Sequence, residues 1–310
     1  MPETFPHRVK IVEVGPRDGL QNEAVFVSTE NKIALIERLI AAGVGYVEAA
    51  AFVSPKWVPQ MADAAEVLRG VAHHDGVTLA ALVPNLKGLD AAMAAGCKEV
   101  AVFAAASETF SQKNINCSIA ESIARFEPVI AQARAHDIKV RGYVSCVLGC
   151  PFEGFVAPEQ VAHVATALYE LGCYEISLGD TIGAGTPTHT KEMLAACARS
   201  IPLNALAGHF HDTWGMAIAN IYAALQCGVA IFDSSVSGVG GCPYSPGATG
   251  NVATEDVVYL CHALGIETGI DLSKLVETGA YISTVLGRSS VSRVANATQG
   301  QQIRRTSETA

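Results

Sequence analysis

Short apolar runs alternate along this chain with longer segments whose apolar positions recur every three to four residues. The runs lie at 9–15, 46–52, 78–83, 100–106, 139–147, 174–179, 206–211 and 229–236. They are too short to be helices, and several are rich in β-branched residues, so they predict strands. The helical patterns between and after them cover 29–42, 61–70, 87–95, 118–136, 158–171, 187–199, 216–227 and 254–264. The strand runs stay apolar along their length, as in a parallel sheet buried on both faces. Eight strand–helix units in about 265 residues predict a single (β/α)8 TIM barrel. Turns of the form helix–Gly–strand recur in AAGVGYVE, AAGCKEV, LGCYEIS and QCGVAIFD. Each glycine ends a helix and the next strand starts almost at once. The competing fold is a doubly wound open sheet, but no GxGxxG follows the first strand, which weighs against its dinucleotide-binding version.

No linker divides the chain. The barrel domain is expected to occupy 1–300, with one or two extra C-terminal helices over 271–297. Residues 301–310 are expected to form a polar, frayed tail. These C-terminal helices are a candidate face for a homodimer.

Composition narrows the partners. The 310 residues are 50% hydrophobic and carry a net charge of −9. No basic run stands out, so neither nucleic acid nor an anionic membrane is an expected partner. No apolar stretch approaches the ~20 residues of a membrane span, and the opening MPETFPHRVK lacks the apolar core of a signal peptide. Nine cysteines, an odd number, point to free thiols in a reducing cytoplasm. Cys97, Cys173, Cys197, Cys227 and Cys261 read as small buried hydrophobes. Cys146 and Cys150 read as structural neighbours rather than a metal or redox pair.

The polar residues gather where the predicted strands end, which is where a barrel enzyme holds its active site. Strand one ends in VGPRDGLQNE, strand six in SLGDT and strand seven in GHFHDT. His209 and His211 are two apart, so on a strand they share a face. Two imidazoles side by side suggest a metal site. Asp18 and Asn251 can each bring an oxygen to it, since strand one neighbours strand eight in a closed barrel and strand seven is next. Two nitrogens and two oxygens suit Mg²⁺ or Mn²⁺ and would also accept Zn²⁺, Co²⁺ or Ni²⁺. Arg17 is either half of a salt bridge or a guanidinium that stabilises developing oxyanion charge. Glu48, in an apolar run, needs a partner such as Arg17 or the metal's outer shell. Asp180 is a helix cap or a substrate contact. Glu255 either complements a helix dipole or reaches the substrate. Gln21 and Ser177 complete the candidate substrate contacts. The segment 238–256, GVGGCPYSPGATGNVATED, sets Cys242 among glycines, outside any apolar periodic run, and is expected to be a mobile catalytic lid.

Together these residues resemble the 3-hydroxy-3-methylglutaryl-CoA lyase family. The resemblance is carried by VGPRDGLQNE, FVSPKWVPQMAD, KNINCS, RGYVSC, YEISLGDTIGAGTP, HFHDT and SSVSGVGGCPYSPGATGNVATED, and runs from about residue 9 to about 297. It implies metal-dependent retro-Claisen cleavage of 3-hydroxy-3-methylglutaryl-CoA to acetyl-CoA and acetoacetate, in leucine breakdown or ketone-body formation. It also implies metal ligation by Asp18, His209, His211 and Asn251. The catalytic thiol becomes Cys242, the polarising arginine Arg17, and the supporting acids Glu48, Asp180 and Glu255. Asp18 is the candidate base and Cys242 a general acid; no covalent thioester is needed. Where the family often has hydroxyl residues after the strand-two acid, Ala50 and Ala51 stand here, which raises the prospect of a different acyl chain. Lys56, Lys113 and Asn114 are candidates for the adenosine end of CoA. Without a transit peptide or a CKL-type ending, a bacterial cytoplasmic enzyme fits. The rivals are a lyase for a larger branched 3-hydroxyglutaryl-CoA, a Claisen-type acyl transferase of the isopropylmalate synthase kind, and a non-catalytic metal- or CoA-binding barrel.

Overall fold

The computed structural model describes residues 5–241 and 250–308, with side chains described up to Gln301. Eight parallel strands close into a barrel in chain order: β1 Lys10–Glu13, β2 Tyr46–Ala51, β3 Thr78–Leu82, β4 Glu99–Ala105, β5 Lys139–Ser145, β6 Glu175–Asp180, β7 Leu206–Phe210 and β8 Ile231–Ser234. The last strand pairs with the first from Lys10 opposite Ile231 to Glu13 opposite Ser234. Each predicted strand run holds most or all of one of them. The open-sheet alternative is excluded by this closure.

The helices of the outer ring are α1 Thr29–Ala41, α2 Ala64–Val71, α3 Leu86–Ala94, α4 Glu108–Ile115, α5 Ile119–Ala135, α6 Pro158–Leu171, α7 Pro187–Cys197, α8 Ala217–Gln226 and α9 Thr254–Ala263, followed by α10 Leu272–Leu286 and α11 Arg293–Glu308. Apolar periodicity predicts nothing over α4, a mostly polar stretch. It forms on capping instead: the Ser107 hydroxyl accepts from the Phe110 amide at 3.1 Å, which satisfies an otherwise orphaned donor. The helix α11 runs to Glu308, across most of the stretch where the sequence predicts a frayed tail. Gln and Arg are good helix formers, and Asp256 of α9 caps its start by accepting from the Val294 amide at 2.9 Å.

The main apolar core lies between the sheet and its helices, with Leu35, Ile36 and Leu39 of α1 among its fully buried members. A small second cluster holds Val12, Tyr46, Ala80, Ala207 and Ile231. These share strand faces with Glu48, His209 and Asp233, and so line the lumen. Much of the lumen is charged. Arg141 of β5 is 0% exposed and reaches across to Asp233 of β8 through two bonds of 2.7 and 3.0 Å. It also donates to Glu175 of β6 at 2.7 Å, and Glu175 pairs with Lys10 at 2.5 Å. A buried guanidinium is tolerable only with its charge matched and its donors used.

Candidate active site

Strand β1 hands over to one π-helical turn, Gly15–Gly19, whose sequence GPRDG carries Arg17 and Asp18. The turn is held from below by Glu13. Its carboxylate accepts from the Gly15 amide at 2.8 Å, the Val236 amide at 2.9 Å and the Thr254 hydroxyl at 2.7 Å. A Cβ on Gly19 would lie 2.8 Å from the Val239 carbonyl oxygen, so only glycine fits there without a shift.

The turn aims Arg17 at β2. Its Nε and Nη2 donate to Glu48 at 2.8 and 3.0 Å, and its Nη1 donates to Asp18 at 2.6 Å. The Tyr143 hydroxyl of β5 donates to the same Glu48 at 2.5 Å. Burial opposes the charge on Arg17, but Glu48 and Asp18 outweigh it and hold the guanidinium firmly protonated. Burial likewise pushes the Asp18 carboxyl up, yet Arg17 and the two imidazoles win and bring it down to about 2.

His209 and His211, at the end of β7 and just beyond it, turn their Nε2 atoms to within 3.3 Å of each other. The Nδ1 of His209 donates to Asp233 at 3.1 Å; that carboxyl sits below its usual range because, against burial, Arg141 and His209 favour its charge. Burial lowers the His209 ring, but the Asp233 bond and charge outweigh it and raise it. His211 is pushed down to about 4 by burial and by His209. Two imidazole nitrogens this close need something positive between them, a proton or a cation. Asp18, His209 and His211 each offer a donor atom within 4.8 Å of the others, a group that could hold a metal ion. The Asn251 amide donates to Asp18 at 2.9 Å; a half-turn would exchange its nitrogen for its oxygen at that place.

A cavity of about 290 Å³ opens over this group at the C-terminal end of the barrel. Arg17, Asp18, Gln21, His209 and His211 lie in its wall, with Asn114, while Leu82, Phe103, Phe110 and Ile115 make an apolar side. Of the other sequence candidates, Glu48 supports the wall through Arg17. Ser177 does not reach the cavity: it is buried lower in the lumen, donating to Asp233 at 2.7 Å. Asp180 is spent on its own loop, accepting from the Gly185 amide at 2.9 Å, and burial raises it to about 6. Glu255 is buried behind β8, where it accepts from the Ser237 amide at 2.9 Å, and burial raises it to about 8. None of the three is in the cavity wall. These three side chains instead support the backbone and the lumen around the cavity. Ala50 and Ala51 are buried and also outside that wall, so they do not shape it directly. Cys242 lies outside the described residues, as do residues 243–249 of the expected lid. Gly241, just before it, is in the cavity wall and its carbonyl accepts from Asn22 at 3.2 Å.

Sequence reasoning missed Asp233, Arg141 and Tyr143. Asp233 and Arg141 carried the same signal as Glu48, a charge inside an apolar strand run.

The sequence profile described as HMGL-like matches residues 8–282. The hydroxymethylglutaryl-CoA lyase of Pseudomonas mevalonii is 62% identical over 296 residues, spanning 96% of this chain and 98% of that protein. The 3-hydroxy-3-isohexenylglutaryl-CoA/hydroxy-methylglutaryl-CoA lyase of Pseudomonas aeruginosa is 60% identical over 293 residues, spanning 94% and 98%. The crystal structure of hydroxymethylglutaryl-CoA lyase from Pseudomonas aeruginosa superposes with a TM-score of 0.94 at 59% identity, covering 96% of this chain and 99% of that one.

Proposed function

Because the chain belongs to the HMGL-like family, we propose that it cleaves 3-hydroxy-3-methylglutaryl-CoA to acetyl-CoA and acetoacetate, as a carbon–carbon lyase. The observation that carries this reading is the meeting of Arg17, Asp18, His209 and His211 in one cavity wall at the barrel mouth. Asp18, His209, His211 and Asn251 would hold a divalent cation, with Mg²⁺ or Mn²⁺ suited to the mixed oxygen and nitrogen donors. When bound, it supplies Lewis acidity that makes a tertiary hydroxyl easier to deprotonate.

The protein's own groups account for the remaining requirements. Cleavage removes the hydroxyl proton, turns that carbon into the ketone of acetoacetate, and leaves the electrons of the broken bond on the thioester enolate of acetyl-CoA. Asp18, ionised at neutral pH, is the acceptor for the hydroxyl proton. Its low pKa makes it a weak base, which fits a role on an acidified hydroxyl and no other. Arg17 has spent three N–H groups on carboxylates. Two of the five remain for a substrate oxygen, and Glu48 with Tyr143 keeps the fork from turning away. Asp233 accepts a hydrogen bond from the Nδ1–H of His209 and so leaves the Nε2 lone pair for the site. The enolate carbon must finally receive a proton, and Cys242 is the donor we assign.

The apolar side of Leu82, Phe103, Phe110 and Ile115 favours one second reading, a longer branched chain on the acyl carbon, as on the substrate in the Pseudomonas aeruginosa relative's name. Cys97, Cys117, Cys150, Cys173, Cys197, Cys227 and Cys261 are free thiols, which supports work in a reducing cytoplasm.

The test is acetyl-CoA release from 3-hydroxy-3-methylglutaryl-CoA, with Mg²⁺ and with EDTA, for the wild type and Cys242→Ser. We expect turnover that EDTA abolishes and that the substitution lowers by roughly two orders of magnitude or more. An intact, metal-loaded protein without turnover would overturn the named substrate, and the same assay on a longer branched ester would then decide the second reading.

A further inference from the structure

The outer helix ring carries a cluster that the barrel mouth does not use. Glu37 lies on α1, and His73 with His74 follows the end of α2. Both imidazoles turn their Nε2 atoms to one carboxylate: His74 sits 2.6 Å from one Glu37 oxygen and His73 3.5 Å from the other. The two rings are 4.2 Å apart between centroids and tilted by 36°. The donor atoms all fall within 4.8 Å of one another.

We propose that Glu37, His73 and His74 form a second cation site, for a borderline-soft divalent ion such as Zn²⁺ or Ni²⁺. An ordinary surface ion pair takes one histidine and one acid. Here two rings from adjacent residues converge on the same carboxylate, and the ion pairs that Glu37 makes are with these rings. Two imidazoles and one carboxylate are the donors that zinc accepts with an open position for water. Two nitrogens in three favour Zn²⁺, Ni²⁺ or Cu²⁺ over Mg²⁺.

The fold explains why the donors meet. A Cβ on Gly70 would lie 2.4 Å from Ile33 Cδ1, so α1 and α2 touch closely at that point. Glu37 is one turn beyond Ile33, and His74 is four residues beyond Gly70. The close approach therefore carries the acid and the imidazoles to the same level of the ring. An ion bound there would tie α1 to the segment just after α2, so it should stabilise the folded chain by mass action. The exposed His73 ring, 65% accessible, leaves the site open to solvent ions. This site is independent of the lyase reading.

The test is titration of untagged, metal-stripped protein with Zn²⁺, followed by calorimetry and by the melting temperature. We expect two equivalents for the wild type. His73→Ala/His74→Ala should lose one, together with part of the Zn²⁺-induced rise in melting temperature, while acetyl-CoA release with Mg²⁺ is unchanged. His209→Ala/His211→Ala should keep the equivalent that the first variant loses. Circular dichroism checks the fold, and His73→Asn alone, at the more exposed ring, serves if the double variant is impaired. A wild type with a single equivalent, or an undiminished stoichiometry in the folded His73 and His74 variants, would overturn the proposal.

Discussion

Asp233 receives four hydrogen bonds, two from Arg141 and one each from Ser177 and His209. Replacing it by Asn keeps the shape, removes the charge and frees the His209 tautomer. Mn²⁺ affinity in Asp233→Asn should fall by about 10–100-fold, measured by titration on the folded fraction. Arg17→Lys keeps a charge but cannot make the paired contact with Glu48. Its kcat should fall by about a hundredfold or more, with a smaller change in KM, because the lost interaction is with the developing oxyanion. Glu255 makes a prediction in pH. Its carboxyl is raised from 4.5 to about 8 by burial, so the folded state holds the proton more tightly than the unfolded one. Its contribution to stability is full below about pH 4.5 and is lost as pH rises through 8. Melting temperature should therefore decline less between pH 5 and 8.5 in Glu255→Gln than in the wild type. At this scale the sequence was legible where chemistry forced a residue type into a fixed place: the paired histidines, and the Arg–Asp pair at a strand end. It was not legible for Ser177, Asp180 and Glu255. A polar residue near a strand end can face the cavity, the lumen or its own loop, and only the loop's path and the strand's register separate these.

The elements that matter most at the site are turns. The GPRDG turn is wound as a π-helix against Glu13 and against the backbone of Val239. Gly19→Ala would force that turn outward; overpacking of this kind costs about 1–3 kcal/mol. The melting temperature should fall, and lyase activity should fall further than stability alone explains, because Arg17 and Asp18 ride on the turn. Strands and long helices were legible because they bury whole runs or repeating faces. The π-turn and α4 were not, because each rests on a cap or on a buried carboxylate rather than on periodicity. The continuation of α11 past residue 300 belongs to the same class, with its N-terminal cap coming from Asp256.

The barrel as a whole has its apolar core outside the sheet and a charged network within it. Closure in chain order was predictable from eight regular units, but the lumen's content was not, since Arg141, Glu175 and Asp233 are far apart in sequence and meet only when the ring is complete. Arg141→Met should leave Asp233 a buried carboxylate without its guanidinium, with Glu175 still held by Lys10, and cost about 3–5 kcal/mol, visible as a lowered denaturant midpoint. The crossing from β5 to β8 also bears on how the chain is made. Arg141 leaves the ribosome some ninety residues ahead of Asp233, and until β8 arrives it has Glu175 of β6 but not the two bonds it makes to Asp233. Chains cut short before that strand should therefore be digested by proteases faster than chains that include it.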